Sequence, residues 1–332
     1  MLPMTTLRRL YTTDAPLTVT GVLMAAALIP ALAGLWLDPR VITGAPAWLK
    51  PAKFAVSTAI YLLTLAWIFT YLPEWVRTRR IVGWATAVIL IVEVGAIYLQ
   101  AWRGTTSHFN VGAPLDAALF AAMGIGIVMQ VLASVAVAVA LWRQRFSDAA
   151  LGWALRLGMT VSIVGASTGG LMTKPTAAQL ADARATHRMT VAGAHTVGAP
   201  DGEPGLPGTG WSLSHGDLRV PHFLGLHAMQ VLPVVALLLT RRRGSDARAV
   251  RLTCVAAGSY FALFALLLVQ ALSGESVVAP SPMFLSAFTI WAVATAIIAP
   301  GAARSANADV HVRPGWLARV FGLAHRVRPA RT

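Results

Sequence analysis

Eight long apolar runs constrain this chain more than any other feature of its sequence. An α-helix rises about 1.5 Å per residue, so about 20 apolar residues cross the hydrocarbon core of a bilayer. The runs predict spans over residues 16–37, 53–72, 81–101, 115–141, 151–172, 221–240, 250–272 and 282–299. Only 12% of the residues are charged, which is about half the share in a soluble domain. The sequence therefore predicts an all-α, polytopic transmembrane helical bundle of about eight spans.

The distribution of arginine predicts the orientation of these spans. Span ends that share one side of the membrane are flanked by Arg8, Arg9, Arg77, Arg79, Arg80, Arg143, Arg145, Arg241, Arg242 and Arg243. Because positively charged loops stay in the cytoplasm, both termini are predicted to be cytoplasmic, in a multi-pass protein of a bacterial plasma (inner) membrane. The formal net charge of +14 is then a topology signal. It predicts the lipid bilayer as a partner and no nucleic acid.

The chain divides into one membrane domain and a tail. Residues 1–300 form the predicted transmembrane domain, including a long extracytoplasmic loop at 173–220 that is rich in Gly and Pro. Within this loop, residues 176–188 are predicted to form a short helix on the membrane surface. Residues 301–332 are predicted to be a basic, disordered cytoplasmic tail. The single cysteine, Cys254, excludes an intramolecular disulfide.

Two features of the spans leave alternatives open. The first span resembles a secretory signal peptide, with Arg8 and Arg9 before it and a small-residue site at 31–34 within it. Its apolar run continues to Leu37, which favours a retained span. The second and sixth spans each open with Pro and Phe, which suggests a four-plus-four arrangement of helices, although strong internal repeats are absent.

The start of the sixth span carries the most unusual polar residues, His222, His227 and Gln230. Polar side chains inside a membrane are costly and are therefore candidates for a functional site. His222 and His227 are five residues apart, about 140° around the helix, so they cannot bind one metal as an i, i+4 pair does. Any ligand of His227 therefore needs a partner from another segment, and the loop histidines His187, His195 and His215 are available on that side.

Further polar residues of the predicted outer half complete a candidate site. Glu93 lies roughly 13 Å below the outer end of the third span, level with Gln230. The candidate site comprises Lys50, Lys53, Glu93, Gln100, Arg103, His108, His222, His227 and Gln230, with His227, His222 and His108 as the candidate metal ligands. The alternatives are snorkelling lysines and interhelical hydrogen bonds that only stabilise the bundle. Asp116 is explained by the helix dipole alone.

Four blocks of sequence carry a resemblance: WLKPAKF at 48–54, RGTTSHFN at 103–110, AHTVGAPDGEPGLPG at 194–208 and GDLRVPHFLGLHAMQVLP at 216–233. Together they resemble a group of uncharacterised bacterial, largely actinobacterial, multi-spanning membrane proteins. The resemblance implies a bacterial plasma-membrane setting and no particular activity. Haem A synthases also have eight spans, but their haem histidines lie on spans that lack histidine here, so that function is not carried over.

Three functions fit the polar residues. Histidines and cations together favour a site for haem or a transition metal, with redox chemistry, in which the histidines bind the metal and the cations neutralise propionates. The second hypothesis is a transporter or receptor for a small anionic solute, with Glu93 as a proton site. The third is a structural or assembly role. The sequence decides neither the ligand nor whether the protein is an enzyme.

Overall fold

The fold is described from a computed structural model, which describes residues 4–241 and 246–304. Eight helices are long and apolar enough to cross a membrane, which confirms the predicted all-α bundle. They are α2 (Ala15–Leu37), α3 (Leu49–Phe69), α4 (Val76–Arg103), α5 (Pro114–Arg143), α6 (Ala149–Ser167), α9 (Arg219–Thr240), α10 (Asp246–Leu272) and α11 (Pro282–Arg304). The even number of crossings places the start of α2 and the end of α11 at the same end of the bundle.

Short elements fill the connections. They are the helices α1 (Met4–Thr13), α7 (Gly169–Met172) and α8 (Ala177–Thr186), and two antiparallel pairs, β1 (Val41–Ile42) with β2 (Ala45–Pro46) and β3 (Thr196–Val197) with β4 (Gly216–Asp217). The helix predicted within the long loop is α8, which begins with a capping box between Thr176 and Gln179. We call the end of the bundle that carries this loop the loop end, and the opposite end the arginine end.

The ends of the helices follow from local sequence. Asp14 and Asp148 accept hydrogen bonds from the first turns of α2 and α6, as N-cap side chains do. Arg156, which interrupts the fifth apolar run, donates hydrogen bonds to the carbonyl oxygens of Leu141 and Gln144 at the end of α5. A long cationic side chain near the end of a span can reach the membrane boundary in this way.

The spanning helices pack as two sets of four. The first set contains α2 to α5, the second contains α6, α9, α10 and α11, and contacts between α5 and α6 join them. We call the boundary between the sets the seam. Toward the arginine end, buried apolar side chains of both sets form one continuous cluster that includes Leu62, Leu65, Leu155, Met159 and Met229. The seam is therefore apolar at that end.

Each set contains a similar turn at the loop end. Gln100 in α4 and Gln270 in α10 are each followed four residues later by a left-handed glycine, Gly104 (φ 75°) and Gly274 (φ 78°). Each glutamine side chain donates to a carbonyl oxygen six residues ahead, at 3.4 Å and 3.0 Å respectively. A proline then starts the next helix in both sets. This local equivalence supports the four-plus-four arrangement suggested by the sequence.

A helix crosses the predicted boundary between the membrane domain and the tail. The helix α11 runs to Arg304, four residues beyond the predicted end of the membrane domain at 300. The remainder of the predicted tail, residues 305–332, lies outside the described residues.

Candidate functional site

The candidate site lies at the loop end of the seam. Glu93 of α4 is 3% exposed, and its Oε1 lies 3.7 Å from Nε2 of His108, in the connection between α4 and α5. Lys50, in the first turn of α3, is close enough to Glu93 for their charges to interact. The structure therefore brings together three of the predicted site residues, from two helices and one connection.

Aromatic rings surround these polar groups. The ring of His108 lies among Phe54, Phe109 and Phe120, with centroid distances of 5.9, 6.1 and 6.4 Å. The ammonium group of Lys50 lies 5.9 Å from the centroid of Phe54, within the range of a cation–π interaction. The walls of the site are thus apolar and rigid, while its polar atoms are few and specific.

The second set of helices and the long loop add two histidines. Nδ1 of His222, in α9, lies 2.9 Å from the carbonyl oxygen of Gly165 in α6. Nδ1 of His195 lies 2.6 Å from the carboxylate of Asp201, and the His195 ring packs edge-on against Phe109 at 4.8 Å. A nitrogen that faces a carbonyl or carboxylate oxygen donates its proton, so each imidazole keeps Nε2 as a free acceptor when neutral.

Burial controls the charge of the loop histidines. Burial lowers the pKa of His108 well below its usual value, and the positive charge of nearby Lys50 lowers this pKa further. Burial also lowers the pKa of His195, although the hydrogen bond to Asp201 opposes this effect. Both imidazoles are therefore neutral at neutral pH, and Lys50 supplies positive charge beside them.

Gln100 and Arg103 belong to a separate network. Arg103 donates to the side-chain oxygens of Gln100 and Asp116, and Gln100 Nε2 donates to Asp116 at 2.9 Å. Asp116 is 7% exposed and receives both donors. The sequence predicts no role for Asp116 beyond its interaction with the helix dipole. That interpretation was wrong, because the carboxylate joins the end of α4 to the start of α5.

His227 and Gln230 lie apart from the other candidates. The ring of His227 packs edge-on against Phe223, one turn earlier in α9, at 4.2 Å. Within the described ranges, it makes no hydrogen bond or ion pair with His108, His222 or Glu93. Gln230 Oε1 is buried without a hydrogen-bond partner. The sequence predicts that Gln230 lies at the depth of Glu93, but the residue that contacts Glu93 is His108.

The described residues contain no group of three or more His, Cys, Asp and Glu side chains placed to hold a metal ion. Of the other loop histidines, His187 is exposed and ends α8, and His215 contacts Glu203 at 3.1 Å. The prediction that His227, His222 and His108 bind a metal therefore stays a prediction, without a preformed three-ligand group to support it. His195, named in the sequence only as one of several loop histidines, is closer to the site than His227 is.

Buried Asp217 organises the loop above the site. Asp217 is 3% exposed. Its carboxylate accepts hydrogen bonds from the backbone nitrogens of Ser212 and Arg219 at 2.9 and 3.0 Å, and it forms an ion pair with the Arg219 side chain at 2.6 Å. Arg219 also donates to the carbonyl oxygen of Gly210. Lys53, from the other set of helices, donates to the carbonyl oxygen of Thr209 at 2.9 Å.

Removal of the Asp217 carboxylate is expected to loosen the loop. In Asp217→Ala, two backbone donors and the Arg219 guanidinium lose their acceptor, and a lost acceptor for a charged group costs about 1.5–3 kcal/mol. We expect faster cleavage within 198–216 by an added protease, measured by mass spectrometry of the fragments. Asp182→Ala, in the exposed helix α8, is the matched control and should be cleaved at the wild-type rate.

The fold and the described spans define a multi-pass integral membrane protein with a polar site at one end of a two-set helical bundle. Comparison with protein-family models, curated proteins and solved structures finds no match for this chain. The function must therefore be inferred from the site itself.

Proposed function

We propose that the protein binds a small anionic solute at the loop end of the seam, as a receptor or transporter whose site faces outward. The observation that carries this proposal is Lys50. Its ammonium makes no hydrogen bond or ion pair with any residue of the described ranges, yet it lies beside the ring of Phe54 and near the imidazoles of His108 and His195. A partly desolvated cation without a close partner attracts a carboxylate or phosphate group.

The surroundings of Lys50 suit such a ligand. The free Nε2 atoms of His195 and His222 can accept hydrogen bonds from hydroxyl or N–H groups of an organic anion, and the rings of Phe54, Phe109 and Phe120 offer apolar contact with its body. Pockets that combine apolar walls with a few polar groups are typical of small-molecule sites. Glu93 lies near both Lys50 and His108, so binding of an anion there requires its carboxyl to be protonated.

The packing of the bundle supports access from the loop end only. The seam is filled by the apolar cluster toward the arginine end, whereas its polar groups lie toward the loop end. Sites at the boundary between repeated helix sets are common in transporters, whose two halves move relative to each other. By the arginine distribution, the loop end faces outward.

Anion binding is tested by thermal unfolding of the purified protein in detergent. Probes are inorganic phosphate, succinate and benzoate, each titrated at constant ionic strength. A ligand at 100 times its Kd stabilises the folded state by about 2.7 kcal/mol, so we expect at least one probe to raise the unfolding temperature by about 5 °C with saturation. Lys50→Met should abolish this rise.

The control for this experiment is Lys174→Met, which removes an exposed lysine from the loop end of the bundle. It should respond to the probes as the wild type does. Equal responses of Lys50→Met and wild type would show that Lys50 does not hold the anion, and no response of the wild type to any probe would count against the proposal.

Haem is the second candidate, and the histidine geometry favours it. His195 and His222, from different segments, both engage Nδ1 and leave Nε2 free, which is the usual arrangement of a metal-binding imidazole with an oriented ring. Haem needs only one or two such ligands, so it does not depend on a three-ligand group. Titration of the protein with haemin should then give a Soret band that His195→Ala and His222→Ala weaken and His187→Ala does not. A Soret response that is the same in all three variants would remove this candidate.

A further inference from the structure

A short hairpin of the long loop crosses the seam above the site. Residues 205–212, which we call the flap, are closed by an antiparallel bridge between Gly205 and Ser212 and by a hydrogen bond from Leu206 N to Trp211 O at 2.8 Å. Left-handed backbone at Gly208 (φ 77°) and Gly210 (φ 68°) turns the chain at its tip. Such conformations favour glycine, so the sequence Pro-Gly-Thr-Gly is well suited to this turn.

The flap is firmly attached to the second set of helices. Arg219 of α9 donates to the carbonyl oxygen of Gly210, and Ser276, after α10, donates to the carbonyl oxygen of Ser212 at 2.9 Å. The ring of Trp211 packs edge-on against Phe223 of α9 at 5.9 Å. The backbone nitrogen of Ser212 is held by buried Asp217. These attachments all lie on one side of the seam.

The attachment to the first set is much weaker. Across the part of the chain that the structure describes, one hydrogen bond joins the flap to α3, from Lys53 Nζ to the carbonyl oxygen of Thr209 at 2.9 Å. Lys53 is exposed, and it follows Lys50 by three residues, so the two ammonium groups are neighbours on the helix surface. A flap that is held by several hydrogen bonds on one side and by a single hydrogen bond on the other can open when that single bond breaks.

We propose that residues 205–212 form a flap over the seam that is latched by Lys53, and that an anion entering beside Lys50 releases it by competing with the Thr209 carbonyl oxygen for the Lys53 ammonium. The second part of this inference rests on the proposed function; the latch itself does not. A carbonyl oxygen is a weaker partner for an ammonium group than a carboxylate or phosphate is. The Thr209 carbonyl oxygen thus takes the place of the anion as the acceptor of Lys53 and holds the flap over the site.

The latch is tested by the accessibility of a buried cysteine, without any ligand. Ser107, 3% exposed and adjacent to His108, is replaced by cysteine in a background in which the single native cysteine is removed by Cys254→Ala. The rate of labelling by a membrane-impermeant methanethiosulfonate reagent is then measured in nanodiscs. Loss of a hydrogen bond to a charged group changes an opening equilibrium about tenfold or more, so Lys53→Met should raise the labelling rate about tenfold.

Lys174→Met is the matched control and should leave the rate unchanged. Hydrogen exchange supplies an independent readout, because Lys53→Met should speed exchange in residues 205–212 while helix α8 keeps its wild-type rate. Unchanged labelling and exchange in Lys53→Met would overturn the latch, as would an equal increase in Lys174→Met.

The anion part is tested by adding phosphate, succinate or benzoate to the reporter protein that retains Lys53. The probe that raises the unfolding temperature should also raise the labelling rate, and it should have no further effect in Lys53→Met. A probe that binds without changing the labelling rate would refute competition at Lys53. Absence of binding by every probe, with a working latch, would refute the proposed function and the competition that rests on it, and would leave the latch standing.

Discussion

Alanine at Gly165 or Gly225 is expected to destabilise the bundle strongly. A Cβ atom added to Gly165 would lie 2.5 Å from the Cα of Gly225, and the converse substitution meets the Cα of Gly165 at the same distance. Backbone atoms of two packed helices cannot turn aside as the end of a side chain can. Helices α6 and α9 would have to separate, and overpacking typically costs about 1–3 kcal/mol, with larger values where backbone must move.

Separation of α6 and α9 would also break the polar contacts beside the crossing. Ser162 of α6 donates to the carbonyl oxygen of Leu226 at 2.8 Å and accepts from the backbone nitrogen of Met229 at 3.1 Å. Nδ1 of His222 reaches the carbonyl oxygen of Gly165 across the same interface. We therefore expect little monodisperse protein after detergent extraction of either alanine variant, measured by size-exclusion chromatography of a fluorescent fusion.

Two glycines that meet no neighbour provide the controls. Gly124 in α5 and Gly258 in α10 have no atom within 4 Å of an added Cβ. Alanine favours a helix over glycine by about 0.5–1 kcal/mol, so Gly124→Ala and Gly258→Ala should be extracted at least as well as the wild type. Wild-type behaviour of Gly165→Ala would show that α6 and α9 do not cross as closely as described.

The spans were predictable because a bilayer imposes one strong rule on sequence, a run of apolar residues of fixed length. This rule does not depend on which helices touch. The sequence also places small residues, among them Gly165, in the outer half of the fifth span, and such residues permit close packing of helices. It did not identify Gly225 as the partner of Gly165, because the partner of a small residue is set by the three-dimensional arrangement of the helices.

The sequence likewise could not predict which residues of the candidate site lie in contact. Depth along a helix placed Glu93 within the membrane, at the level of Gln230. The structure instead brings His108 to Glu93, since the connection after α4 folds back over the helix end. The pairing of His195 with Asp201 lies within a loop that has no periodic pattern, and no signal in the sequence singled out that histidine from His187 and His215.

Asp116 shows how a sufficient local explanation hides a tertiary role. An acidic residue in the first turn of a helix is stabilised by the dipole, and that reason alone accounts for its position. Only the fold reveals that Gln100, fully buried, and Arg103 both donate to the same carboxylate. The network ties α4 to α5 beside His108, so it supports the candidate site without belonging to it.

Asp116→Ala is accordingly expected to lower the free energy of unfolding by about 2 kcal/mol. Removal of one partner of a buried ion pair costs about 3–5 kcal/mol, but the Arg103 side chain is 30% exposed and regains water, which reduces the loss. The Nε2 donor of Gln100 keeps only its 3.4 Å contact with Thr106, whereas its Oε1 still accepts from Arg103. The loss is measured by reversible unfolding in mixed micelles. Asp182→Ala, an exposed acidic residue outside the spans, should change stability by less than about 0.5 kcal/mol.

A double-mutant cycle separates the network from a simple dipole effect. If Asp116 acts through Arg103, then Arg103→Met should already remove much of the stabilisation, and adding Asp116→Ala should cost less than it does in the wild type. If Asp116 acts only on the helix dipole, the two losses should add. A coupling between the two residues of about 1 kcal/mol or more would assign the carboxylate to the network. Additive losses would return Asp116 to the role that the sequence alone suggested, and the turn after α4 would then depend on Gln100 rather than on an ion pair.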